Sequence, residues 1–370
     1  MTSTTTVATT TDRILNFSAG PGVMPEPVLE RIREDVWNID GSGIGVLEHS
    51  HRGPVIDRVF DEATARVKSL AGLGDEHEVL FLQGGATMQF GMIPMNFLPA
   101  DRTADYPDTG AWTTKAIKEA RKFGTVNVAF DGSACNHDHC PTADELSLTP
   151  DAAYLHYCSN NTIFGTRYAA PPATSAPLVC DASSEMFARP WPFADHALVY
   201  AGAQKNLGPS GVALVIVRKD FMETACRETI DMLDYRKHAK NGSRLNTPPV
   251  FGVYAMNLVM AWIEDQGGLA AMETRNEAKA KVVYDAIDGS GGFYRGHARP
   301  ASRSVMNITF RLPSEDLEKT FVAEAKAAGM DGLKGHRSVG GIRASIYNAF
   351  PAAGCDTLAR FMGDFAAKHG

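Results

Sequence analysis

The sequence predicts an α/β fold: a mostly parallel sheet covered by helices, followed by a smaller C-terminal α/β domain. Two observations predict the sheet. Short apolar runs, many of them β-branched, alternate with helical spacing through the middle of the chain: Val79–Leu82, Val126–Phe130, Tyr154–Cys158, Pro177–Asp181 and Ala197–Ala201. Two of these runs lead into chemically active residues, Asp181 and, after a turn, Lys205; ligands gather at the carboxyl ends of strands in such sheets. The smaller domain rests on a change of pattern beyond residue 266. There a strand (Val305–Leu312), a helix (Leu317–Ala328) and a strand (Ile342–Ile346) precede a closing helix with Leu358, Phe361, Met362 and Phe365 on one face.

At 370 residues the chain has room for about two domains and a large core. The boundaries expected are a disordered tail over 1–13, a large domain over 14–266 and a small domain over 267–370, with the opening segment 14–25 free to pack on the small one. Met1–Asp12 is threonine-rich and has no apolar stretch of the secretory kind. A net charge of −7 and no strong basic run argue against nucleic acid as a partner. No apolar stretch reaches the length of a membrane span. Six scattered cysteines, without a disulfide-like spacing, suit a reducing cytoplasm.

In order, Asn16–Gly22 is a glycine- and proline-rich loop, and Val28, Leu29, Ile32 and Val36 then share one helical face. His49–Pro54 is a loop that sets His51 beside Arg52, ahead of a second helix with Ile56, Val59, Phe60, Ala63, Val67 and Leu70 inward. Val79–Leu82 runs into Gln83-Gly-Gly-Ala-Thr-Met-Gln89, where strand, glycine turn and helix start together form an anion site. It is neither a Walker loop nor G-x-G-x-x-G. Ala111–Lys122 reads as a helix, and Asp108–Trp112 as the turn before it. Arg244–Pro249 is a loop before the helices Val253–Asp265 and Leu269–Ile287.

Lys205 lies in Ala201-Gly-Ala-Gln-Lys-Asn206, on a turn rich in Gly202, Gly208, Pro209 and Gly211, between the apolar runs Ala197–Ala201 and Val212–Val217. An ordinary loop lysine needs no such setting; an amine that captures an aldehyde does. Asp181, some two dozen residues earlier, supplies a carboxylate of the kind that keeps a pyridine nitrogen protonated. Together these segments resemble the phosphoserine aminotransferase family, class V enzymes of fold type I that use pyridoxal 5'-phosphate (PLP).

The resemblance covers nearly everything from Asn16 to Gly370, and what it implies is specific. The large domain becomes a PLP-binding domain with a seven-stranded, mostly parallel sheet, in a homodimer with shared active sites. Lys205, Asp181 and Trp112 become catalytic, with Trp112 stacked on the cofactor ring and Thr162 bonded to its phenolic oxygen. Gly85, Ala86, Thr87 and Gln204 join them around the cofactor, with Asn246 and Thr247 reaching a neighbouring subunit's cofactor phosphate. Substrate falls to Ser18, His51, Arg52, His336, Arg337 and Arg343: the His336–Arg337 pair for a phosphate, His51 and Arg52 for the same phosphate across the dimer, and Arg343 for the α-carboxylate. Bottom-up, Gly335–Ser345 already offers two arginines and a histidine on a glycine-hinged loop, enough for a dianion and a carboxylate together. The implied reaction moves an amino group between O-phospho-L-serine and 2-oxoglutarate, in serine biosynthesis, with 4-phosphohydroxy-L-threonine of pyridoxine biosynthesis as a second substrate. Some relatives carry a glycine–arginine pair where this chain has Ala86 and Thr87; Thr87 still offers a hydroxyl but no charge.

Two other readings compete. Another class V enzyme, a serine–glyoxylate aminotransferase or a cysteine desulfurase, shares the lysine and aspartate, but a desulfurase needs a nucleophilic cysteine on a mobile loop. Cys355, next to the closing helix, is poorly placed for that. A non-catalytic metal-binding protein would work through Cys135-Asn-His-Asp-His-Cys140, where Cys135, His137, His139 and Cys140 bring four ligands into six residues. They alternate too closely for a tetrahedral site and lack C-x2-C spacing, so a solvated loop is the expectation and no metal is assigned.

Overall fold

The structure is a computed structural model and describes residues 13–370; the tail expected at the start lies, through Asp12, outside the described residues. Strand β1 (Leu15–Asn16) and helices α1 (Glu26–Asn38) and α2 (Pro54–Ala71) come first. Strand β2 (His77–Leu82) runs into α3 (Gly85–Phe97), β3 (Thr103–Asp108) into α4 (Ala111–Ala120), and β4 (Thr125–Asp131) into a long connection. After β5 (Leu155–Cys158) comes a small antiparallel pair, β6 (Asn160–Asn161) and β7 (Thr166–Arg167). Strands β8 (Leu178–Asp181), β9 (Leu198–Gly202) and β10 (Ala213–Arg218) precede the short helices α5 (Lys219–Met222) and α6 (Tyr235–Lys240) and the long helices α7 (Val250–Asp265) and α8 (Gly268–Asp288). The remainder holds β11 (Arg295–Gly296), β12 (Asn307–Arg311), α9 (Glu315–Ala327), β13 (Met330–Asp331), β14 (Ile342–Ser345) and α10 (Ala352–His369).

Seven strands form one sheet in the order β2-β10-β9-β8-β5-β3-β4. Every neighbouring pair is parallel except those made by β10, which runs antiparallel to both β2 and β9. The strands are apolar on both faces because both faces are covered. Along β9, Val199 and Ala201 enter one core with α2 and α7, while Leu198 and Tyr200 enter the other with α3 and α4. That is the period of two expected of a pleated strand. A separate core joins α8, α9, α10 and the three-stranded sheet β11-β12-β14. Phe17 belongs to this core, and β1 pairs in parallel with β13.

Two local patterns differ from the sequence reading. Strand β3 carries no β-branched run: its buried positions are Ala104, Asp105, Tyr106 and Pro107. Asp105 is fully buried and accepts from Asn127 Nδ2 and Thr149 N, both at 2.9 Å, and the register slips between Asp105 and Pro107. In α1, Val36 is exposed (39%) rather than inward, and Asp35 takes the buried place. Asp35 is held there by the Tyr254 hydroxyl and, at 2.6 Å, by Arg31.

On β5, His156 is buried, with Nε2 2.8 Å from the Tyr200 hydroxyl and its ring stacked on Tyr106 at 4.9 Å. Burial pushes its pKa from 6.5 down to about 3. The unfolded chain therefore takes up this proton near the ordinary value while the folded chain does not, so stability is lost as pH falls through that window. Urea midpoints measured between about pH 6.5 and 4 should fall more steeply for the wild type than for His156→Gln. Equal slopes would show that His156 is not a source of acid sensitivity.

Candidate active site

The reversed strand β10 is what places the lysine. Because β9 and β10 are antiparallel neighbours, the chain joins them by a direct turn instead of a crossover helix. Ala203 N donates to Val212 O at 2.9 Å, and Leu207 N and Gly208 N both donate back to Ala203 O, winding one helical turn around Lys205. The opening loop closes over this turn, with Gly22 N donating to Gln204 O at 2.7 Å.

Register puts the other groups at the same sheet edge. Asp181 pairs with Tyr200 on one side and Cys158 on the other, so its carboxylate emerges beside the lysine turn. Its Oδ1 accepts from Ser183 N at 3.0 Å. Leu82 and Gly202 both pair with Ala213, which sets the start of α3 two strands from the lysine turn at the same edge. Gly84 stands before α3 with φ 85°, and a Cβ there would lie 2.6 Å from Met88 Cβ, so this turn requires glycine. No side chain caps the helix, which leaves first-turn amides, near Gly85, Ala86 and Thr87, for an anion.

Trp112 opens α4, its Nε1 donating to Thr162 Oγ1 at 2.9 Å, and Lys205 Nζ lies 5.6 Å from its ring centroid. Arg343, on β14, donates from Nη1 to Thr162 O at 3.1 Å, while its buried Nε has no partner. Lys205, Asp181, Trp112, Thr162, Gln204 and Arg343 are thus brought together. His336 lines a cavity of about 270 Å3 with Arg343, Phe164 and His297; Arg337 is exposed on the outer side of the same loop. Ser18 follows β1, with its N–H on Asn16 Oδ1 at 3.0 Å. Asn246 and Thr247 hydrogen-bond Gln83, at 3.1 Å each, just before the glycine turn of their own chain. His51 and Arg52 are not gathered: they precede α2 and, among the described residues, make no hydrogen bond to the lysine cluster, and His51 Nε2 is buried without a partner.

Three contributors lie outside the sequence reading. Tyr347 packs its ring where a Cβ on Gly22 would stand, 2.7 Å away, and donates to Ala19 O at 2.6 Å. Thr109 Oγ1 is buried and unpartnered at the turn into α4. Lys115, three residues past Trp112 and so on the same face of α4, holds Nζ 4.5 Å from that ring; this spacing was the one signal available in the sequence.

Burial lowers the Lys205 pKa from its ordinary 10.5, against the pull of Asp181. Burial, then the neighbouring Arg343, Arg337 and Lys115, lowers that of His336. A desolvated amine, an adjacent carboxylate, an indole face, an orphaned guanidinium nitrogen and an uncapped helix start form a donor set that fits PLP. The Cys135–Cys140 loop, by contrast, is a strap rather than the solvated loop expected. Its Asp138 takes Arg299 Nε at 3.0 Å, Asn136 O takes His297 Nε2 at 2.9 Å, and Cys140 N donates to Ser302. Cys135, Asp138 and His139 offer ligand atoms within 4.8 Å of one another, but both His139 nitrogens are engaged by carboxylates, Asp138 at 2.7 Å and Glu145 at 3.1 Å.

Because the folded state lowers the Lys205 pKa from 10.5, the unfolded chain holds this proton to higher pH than the folded one, and the amine costs the cofactor-free protein stability below 10.5. Lys205→Met should raise the Tm of the cofactor-free protein at pH 7. The gain should shrink as pH approaches 10.5. A scanning-fluorimetry gain independent of pH would contradict this.

The chain matches the class-V aminotransferase family over residues 14–358. It is 53% identical over 358 residues to the phosphoserine aminotransferase of Herpetosiphon aurantiacus, covering 96% of this chain and 99% of that protein. The structure of the phosphoserine aminotransferase from Bacillus circulans subsp. alkalophilus superposes with a TM-score of 0.95 at 49% identity, over 97% of this chain and all of that one. A PLP-bound phosphoserine aminotransferase from Trichomonas vaginalis gives 0.91 at 39%, over 95% of this chain and all of its own. The chain belongs to the phosphoserine aminotransferase family of class-V aminotransferases.

Proposed function

We propose that this protein is a PLP-dependent enzyme that transfers the amino group between O-phospho-L-serine and 2-oxoglutarate, with 3-phosphohydroxypyruvate and L-glutamate as the other pair. The observation that carries the reading is the Lys205 amine beside Asp181 and Trp112, with Arg343 tied to the same group through Thr162. Serine biosynthesis in the cytoplasm is the implied setting, and 4-phosphohydroxy-L-threonine would satisfy the same clamp.

When bound, PLP supplies an aldehyde that holds the substrate amine and a ring that draws electrons from the substrate Cα. Lys205 and Asp181 would hold it, with Trp112 against its face, Thr162 at its oxygen and the start of α3 at its phosphate. Burial lowers the Lys205 Nζ pKa, which favours the free-base form needed to take a proton from the substrate Cα. Asp181 would offer its carboxylate to the ring nitrogen. Arg343, fixed on a strand, orients the α-carboxylate, and His336 with Arg337 meets the phosphate. The desulfurase alternative needs a reactive thiol, yet Cys355 is buried within α10 and burial pushes its pKa up to about 12.

The site is proposed to be shared within a homodimer. His51 and Arg52 are left outside their own lysine cluster, and Leu47, four residues before His51, is 60% exposed. Mixing inactive Arg52→Ala and Lys205→Ala chains should restore part of the activity through heterodimers with one intact site. Confirmed subunit exchange without recovery would refute sharing.

Charged hydrogen bonds are worth about 1.5–3 kcal/mol, or about one to two powers of ten. Arg337→Ala should lower kcat/KM for phosphoserine by that factor and affect serine much less, while Arg343→Ala should impair both. Equal losses on the two substrates in Arg337→Ala would show that Arg337 does not read the phosphate.

A further inference from the structure

The loop Gly335–Gly341, which carries His336 and Arg337, is closed at its base by Gly335 N donating to Gly341 O at 2.8 Å. Two residues outside the loop grip it from below. Arg311, on β12, donates from Nη1 to Val339 O at 2.7 Å and from Nε to Glu318 Oε1 at 2.5 Å. Glu318, on α9 and 7% exposed, accepts the Gly341 N–H on Oε2 at 3.0 Å. One ion pair, with Glu318 buried and Arg311 half-exposed, therefore engages both a carbonyl and an amide of the loop's returning limb. Gly341, at φ 72°, allows this approach, because a Cβ there would lie 2.7 Å from Arg311 Cδ and 2.8 Å from Phe310 O. The two glycines that read as a hinge, Gly340 and Gly341, form the seat on which the Arg311 side chain lies.

We propose that Arg311 and Glu318 are positioning residues for substrate specificity: their ion pair latches the loop so that His336 and Arg337 present a fixed cationic pocket to the substrate phosphate. Neither touches substrate. The inference rests on the reading of Arg337 as a phosphate ligand. A half-exposed pair of this kind adds little net stability, so its worth lies in the one loop conformation that its two backbone contacts hold. Here the conformation set is that of the phosphate-reading loop, while Arg343, on the strand itself, stays in place without it.

The test uses the PLP-loaded enzyme and three readouts: KM and kcat for phosphoserine, the single-turnover rate with serine, and inhibition by inorganic phosphate. Glu318→Ala should raise the phosphoserine KM and the phosphate Ki together by about tenfold, the worth of one charged contact, with kcat and the serine rate little changed. Glu318→Gln, which keeps an acceptor for the Gly341 N–H, should recover most of the loss. Should Glu318→Ala not fold, Arg311→Met, which frees Val339 O, should give the same KM shift. Losses equal on both substrates, or an unchanged phosphoserine KM, would overturn the latch. Run beside Arg337→Ala, the series separates the two ideas. Discrimination by Arg337→Ala without any by Glu318→Ala sinks the latch alone, and none by either sinks the phosphate reading and the latch with it.

Discussion

Everything in the large core serves one unfavourable placement, an amine taken out of water at the edge of a sheet. Desolvation works against charge on Lys205 and Asp181 works for it, and the balance leaves the pKa below its ordinary value. Such a group persists only if the surrounding structure fixes it by other means. The means are the apolar strands on either side, the turn wound on Ala203 and the opening loop bonded to Gln204. The reversal of β10 is part of the same solution. A parallel connection after β9 would need a crossover of a dozen or more residues and would carry the lysine away from Asp181.

That dependence explains why so much was legible in the sequence. Strands buried on both faces must be apolar throughout, so β5, β8, β9 and β10 stand out as runs, and the two that end in Asp181 and lead to Lys205 mark the site edge. What escaped was held by contacts with no local signature. β3 hides because a fully buried aspartate satisfied by Asn127 and Thr149 replaces an apolar position, a compensation visible only in three dimensions. Tyr347 reaches Ala19 across 328 residues of sequence, and no spacing rule connects them. The Cys135–Cys140 segment misleads in the other direction. Its residue types suggest ligation, but the fold employs them as hydrogen-bonding partners for Arg299 and His297, and clamps His139 between two carboxylates.

Charge around the site follows the same economy of placement. Thr87 contributes no cation to the anion turn at α3, yet Lys115, Arg337 and Arg343 all lower the His336 pKa or stand beside Trp112 at the site's mouth. Lys115, from α4, sets a cation over the Trp112 ring. A neutral histidine among fixed cations is ready to gain a proton when a dianion arrives, because the dianion reverses the sign of its surroundings.

The cationic groups differ in how they are anchored, and the difference assigns them to different tasks. Arg343 projects from β14, whose register with β12 is fixed by backbone bonds from Asn307 to Phe310 and whose guanidinium is tied to Thr162. Arg343, proposed for the α-carboxylate that every amino-acid substrate carries, is thus anchored on the sheet itself. His336 and Arg337 hang on a loop closed by its own backbone bonds and gripped from below by the Arg311–Glu318 pair. On the proposed reading, reaction chemistry and substrate choice are built on different elements. Substitutions under the loop would therefore retune recognition of the distal anion while the lysine, the aspartate and the arginine on the strand keep their places.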